Sequence, residues 1–181
     1  MDLHQVQISY ETDQDRLLIK FAFIDAENEK KRQEIKVHFT RRITLQFWPT
    51  VLEAMTKQIS LNKPAAAHAS HDIVQMQHEA SVSQMLQSGG FDTPYESESD
   101  TWPMGKLPLL PKTIHFQMQA NHPLKIEFNL PDGTGFEIAM GERALHGFCK
   151  LLQDAVAKAD WGFELEMPGA TQEPIPAHLL N

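Results

Sequence analysis

Cysteine is nearly absent: the 181 residues hold one, Cys149, so no disulfide closes within the chain. That suits a reducing compartment. Long apolar runs are missing too. None approaches the roughly 18 residues needed to span a bilayer. The start, Met1-Asp2-Leu3-His4-Gln5, carries neither a basic stretch nor an apolar one, so it does not read as an export signal. The expectation is a cytoplasmic protein with no membrane partner.

Positive charge is also short. Sixteen Lys and Arg face 24 Asp and Glu, for a net charge of -8. Broad binding to nucleic acid or to anionic lipid needs the opposite balance. The deficit is uneven. Residues 1–63 carry ten basic and nine acidic side chains, and residues 64–181 carry six and fifteen. Signature motifs are missing as well. There is no nucleophile elbow, no HExxH, no phosphate-cradling glycine loop and no zinc-ribbon spacing. No cofactor is expected, and the balance leans away from an enzyme.

What the chain does have is alternation. Val6, Ile8 and Tyr10, then Leu17, Ile19, Phe21 and Phe23, then Ile35, Val37 and Phe39 recur at every second position. Each run predicts a strand with one apolar face. Thr12-Asp13-Gln14-Asp15 is turn chemistry between the first two. Thr40 then suits a helix N-cap. Ile43, Phe47, Val51, Met55 and Ile59, spaced by four, mark one helical face. Pro49 falls inside that helix and predicts a kink. In a competing reading, a strand runs on to Phe47 and the helix starts at Pro49.

The same order returns later. Ile114 to Ala120, Leu124 to Leu130 and Phe136 to Met140 alternate, with Pro131-Asp132-Gly133-Thr134-Gly135 as a hairpin turn. Leu145, Phe148, Cys149, Leu152, Val156 and Ala159 trace a helical stripe. A shift of 101 residues sets Val37 on Ile138, Phe39 on Met140, Arg42 on Arg143, Phe47 on Phe148 and Val51 on Leu152. The reading is α+β: two tandem βββα units, each an antiparallel meander plus a helix, related by internal duplication. The first unit spans 1–63 and the second 112–167. They pair as one six-stranded sheet or as two layers, each helix covering its own strands. Residues 161–166 predict a further strand, and the tail 168–181 reads as loose.

Residues 64–111 break the rhythm. They hold six acids against one Lys and are rich in Pro, Ser and Gly. Ser88-Gly89-Gly90 and Ser97-Glu98-Ser99-Asp100 look flexible. One helix is expected over about 72–87, capped by Asp72 with Gln75 completing a capping box. Large apolar residues in an acidic linker are costly unless they dock. This makes Ile73, Met76, Phe91, Tyr95 and Trp102 candidate contacts with a protein partner. The first helix adds Leu45, Trp48 and Leu52, a second apolar edge that packs within the chain or marks an interface, including one with a second copy of the chain.

Two further constellations stand out in the sequence. His68, His71 and His78 lie within eleven residues, but His71 and His78 are seven apart, which exceeds the i, i+4 spacing of helical zinc ligands. They define an alternative, a small-ligand or metal-dependent enzyme. Lys30, Lys31, Arg32, Arg41 and Arg42 define a second alternative, a patch for a polyanion, with nucleic acid disfavoured by the net charge. Cys149 sits on the apolar stripe and reads as core. The leading expectation is a non-enzymatic interaction protein, an adaptor or assembly factor.

Overall fold

The alternating runs form strands as their periodicity requires. The structure, a computed structural model, describes residues 2–24, 32–91, 93–95 and 101–168. Strands β1 (Asp2–Glu11), β2 (Arg16–Ile24) and β3 (Arg32–Thr40) make one antiparallel sheet in that order. Helices α1 (Arg41–Asn62) and α2 (Ser70–Gln87) follow, with a 3-10 helix, Pro64–Ala69, between them. Strands β4 (Thr113–Gln117), β5 (Leu124–Asn129) and β6 (Gly135–Met140) make a second antiparallel sheet, and α3 (Glu142–Ala159) comes last. The fold is therefore α+β, with two three-stranded sheets each followed by a helix.

Local chemistry sets the joints. Thr40 caps α1, its hydroxyl accepting from the Ile43 N–H at 3.2 Å. Pro49 lies within α1, so the strand reading through Phe47 falls away. The β5–β6 turn uses Gly133 at φ +85°, a region that favours glycine. A side chain at Gly135 would meet the Phe128 carbonyl oxygen at 2.5 Å, so the hairpin closes only on glycine there.

The sheets do not join edge to edge. They share one core. Phe21 of β2 and Phe39 of β3 both approach Phe128 of β5, at 5.9 and 6.4 Å between ring centroids. Phe47 of α1 touches Phe39, Phe116 of β4 and Phe148 of α3. The helices do not keep to their own strands. α3 lies chiefly along β1 of the other sheet, with Phe148 6.0 Å from Phe21. α1 reaches β4 and β5 as well as β3. Neither sheet has enough apolar face to close a core with one helix, so each half borrows from the other.

Three local expectations are corrected. α2 starts at Ser70, two residues early, because the 3-10 turn before it already supplies helical backbone. Its N-cap, Ala69, makes no side-chain cap bond. Asp72 therefore sits in the first turn, and Gln75 bonds Glu79 at 3.0 Å rather than closing a box. β4 stops at Gln117, short of Ala120. No strand forms over 161–166. There the carbonyls of Leu165 and Glu166 accept from Gln153 and Trp48 side chains, which take the place of a ladder.

Candidate functional site

The described residues of the acidic segment lie on the body of the protein. Beyond α2 it crosses the outer face of the first sheet. Gln5 Nε2 donates to the Pro94 carbonyl at 3.0 Å. Tyr95 donates its hydroxyl to Glu34 at 2.6 Å and lies under Lys20, whose Nζ is 5.4 Å from the ring centroid. The segment then runs beside β3. Thr101 pairs with Gln33 and Leu109 with Val37, both parallel. It so satisfies N–H and C=O groups that an edge strand would otherwise present.

Glu34 is 4% exposed. Burial pushes its carboxyl upward, but the Tyr95 hydroxyl and Lys36, 3.2 Å away, outweigh burial and hold it below the usual value. Tyr95 is pushed up by burial and by the same carboxylate. Trp102 lies near enough to favour the Glu34 charge, yet its Nε1 falls short of hydrogen-bond geometry. Its ring carries Lys106 at 4.4 Å.

The other edge of this sheet is different. Among the described residues, Val6 to Glu11 of β1 show no backbone partner except β2, although β6 passes close by without pairing. Between β1 and α3 runs a groove in two connected parts. One, of about 210 Å³, lies between Leu3, Val6 and the Gly147 turn of α3. The other, of about 570 Å³, lies between Ile8, Tyr10, Leu151 and Ala155, with Lys150, Asp154 and Lys158 also lining it. Phe91 and Leu151 border both parts. Leu86, at the end of α2, lines the larger part and is exposed.

The sequence-derived contact residues divide. Trp48 is buried, its indole N–H donating to the Glu166 carbonyl at 2.8 Å, so residues 161–168 cover much of the second apolar edge of α1. Leu52 and Ile73 are half-buried against the core. Leu45 is exposed, and Met76 is 67% exposed on α2. Phe91 lines the groove, whereas Tyr95 and Trp102 belong to the strap over the sheet.

The histidines do not gather. His68 and His71 are exposed, while His78 is buried against His146 of α3 at 5.5 Å between ring centroids. Among the described residues, no group of three or more His, Cys, Asp or Glu is placed to hold a metal ion. Burial pushes the Cys149 thiol up to about 12, which leaves it un-ionised and inert at neutral pH.

Of the basic residues, Arg41 and Arg42 open α1 and Arg32 begins β3. Arg41 lies 3.6 Å from Asp15 and over the Trp161 ring at 5.8 Å. The Arg32 carbonyl accepts from Thr101 N at 3.2 Å. Arg42 is exposed, and Lys30 and Lys31 lie outside the described residues.

The groove was not visible beforehand. It is made by α3 crossing onto a strand about 140 residues away, and β1 alternates in sequence like the other strands although its apolar residues are only half-buried in the structure. Among the described residues no helix is long and apolar enough to cross a membrane. No family model, no curated protein and no solved structure matches the chain.

Proposed function

We propose that the chain is a non-enzymatic protein-interaction module that takes an extended segment of a protein partner along β1, over the groove against α3. One observation carries this. The chain covers the β3 edge with its own residues, whereas among the described residues the β1 edge from Val6 to Glu11 shows no backbone partner beyond β2 and lies beside a largely apolar groove. An added strand takes its affinity from main-chain bonds and its specificity from alternate side chains. Here one face of that strand would rest on Ile8, Tyr10, Leu151 and Phe91, and the other would face water. The expected ligand alternates apolar and polar residues. An acidic residue near its end suits Lys158, which has no ion pair among the described residues.

The docking residues move accordingly. Tyr95 and Trp102 hold the strap in place, and of the apolar residues the sequence singles out in this segment Phe91 keeps the contact role, joined by Leu86. We also read the two βββα units, 1–63 and 112–167, as copies of one ancestral unit. The repeated order and the meeting of Phe47 with Phe148, 101 positions apart, support that reading. Such a module, with one buried thiol, suits the cytoplasm.

The test is selection of peptides from a random library against the intact protein. Enriched peptides should alternate. Leu151→Asp or Ile8→Asp should abolish their binding, while Met76→Asp on the exposed side of α2 leaves it unchanged. Peptides that still bind Leu151→Asp at full strength refute the groove. Self-association lost in Ile8→Asp would name a second copy as the occupant.

A further inference from the structure

α2 is held down by very little apolar surface. Of its residues only Ser70, Val74 and His78 are buried, and two of those three are polar. His78 is 8% exposed and His146, its partner on α3, 1%. Their rings are tilted by 58°, and the Nδ1 of each is buried with no hydrogen-bond partner among the described residues. Two neutral imidazoles tolerate such a site. Two imidazolium ions do not, because like charges would then meet away from water.

We propose that His78 and His146 form an acid-sensitive latch: α2 lies on α3 only while both rings are neutral, and protonation releases α2 from α3.

The surrounding charges do not offset this. Burial, then the neighbouring His78, hold His146 down to about 4. Burial is also the main cause that lowers His78. The Gln153 amide and Glu79 favour its charge, and Lys150 opposes it. Glu79 is exposed and bonded to Gln75. The cleft beside His146 adds Glu142, Lys63 and His122, none bonded to either ring among the described residues. Both histidines are depressed below their ordinary value near 6.5, so the released state binds more protons below that pH. The latch is fully closed above about 6.5 and weakens as pH falls towards 4.

Release has a defined consequence. Met85 of α2 sits over Gly147 of α3, its Sδ 3.0 Å from where a Cβ would stand. Lifting α2 uncovers that turn of α3 and withdraws Met85 and Leu86 from the groove. The latch holds whether or not the groove receives a peptide, since its readout is α2 itself.

The experiment is amide hydrogen exchange on the full chain at pH 7.5 and 5.0, corrected for intrinsic exchange. Protection of α2 should fall on the order of tenfold at the lower pH relative to α3. His78→Leu with His146→Leu should abolish that fall, and either change alone should reduce it. If the double variant does not fold, the reduction in His78→Leu, nearer the surface, makes the test. An α2 whose protection is independent of pH in the natural protein overturns the latch, and so does a fall that persists in full in a folded leucine variant.

Discussion

Asp15 occupies the β1–β2 turn at φ +49° and accepts from the Tyr10 hydroxyl at 2.9 Å and from the Trp161 indole N–H. With Arg41 near the same carboxylate, one turn residue ties β1, the start of α1 and the segment after α3 together. The Trp161 and Tyr10 bonds hold its carboxyl below the usual range, and the bond to Asp15 raises the Tyr10 hydroxyl in return. Asp15→Asn should therefore move the ionisation of Tyr10 back down towards its ordinary value, read by ultraviolet absorbance across the alkaline range. Core residues act through volume instead. Phe128 is fully buried and touches Phe21, Phe39 and Phe136. Phe128→Ala should cost about 3–5 kcal/mol in urea unfolding. Turn chemistry made Asp15 legible as a turn residue. Its three partners were not, because they come from positions 10, 41 and 161.

At the scale of elements, the strap over the first sheet is held by a few polar anchors. Tyr95→Phe removes the donor to the buried Glu34 carboxylate and should destabilise the protein by about 1–2 kcal/mol, measured by thermal unfolding. The same change should raise the Glu34 carboxyl, since the Tyr95 bond opposes burial there. Acidification through the carboxylate range would then cost the variant less stability than it costs the natural protein, because the gap between the unfolded and folded values of Glu34 narrows. In α1, Pro49 is exposed and cannot donate to Leu45, the carbonyl one turn back. Pro49→Ala should stabilise the helix by about 1 kcal/mol or more, seen as a raised urea midpoint. Strands β1 to β3, the Thr40 cap, the Pro49 helix and the β5–β6 turn were all readable, because period-two alternation, a capping hydroxyl and a glycine turn are local properties. The strand expected over 161–166 was a false reading. Trp161 and Leu165 are buried there by side-chain packing, which produces alternation without any strand to pair with.

The whole molecule depends on exchange between its halves. Phe148 packs on Phe21 and Phe47 on Phe116, so each helix closes part of the other sheet's core. Residues 1–111 and 112–181, produced separately, should each lack a cooperative unfolding transition by circular dichroism, whereas the intact chain shows one. A cooperative transition in either fragment would mean that its own helix suffices to cover its sheet. Order and type of elements were determined by the sequence alone: three strands and a helix, twice, with an intervening acidic segment that contains a helix. Those follow from the spacing of apolar residues, which each segment carries within itself. The crossing of α3 onto β1, the strap along β3, the meeting of His78 with His146 and the open β1 groove were decided by tertiary structure. Each sets side by side residues far apart in the chain, and packing of two incomplete cores against each other selects that arrangement.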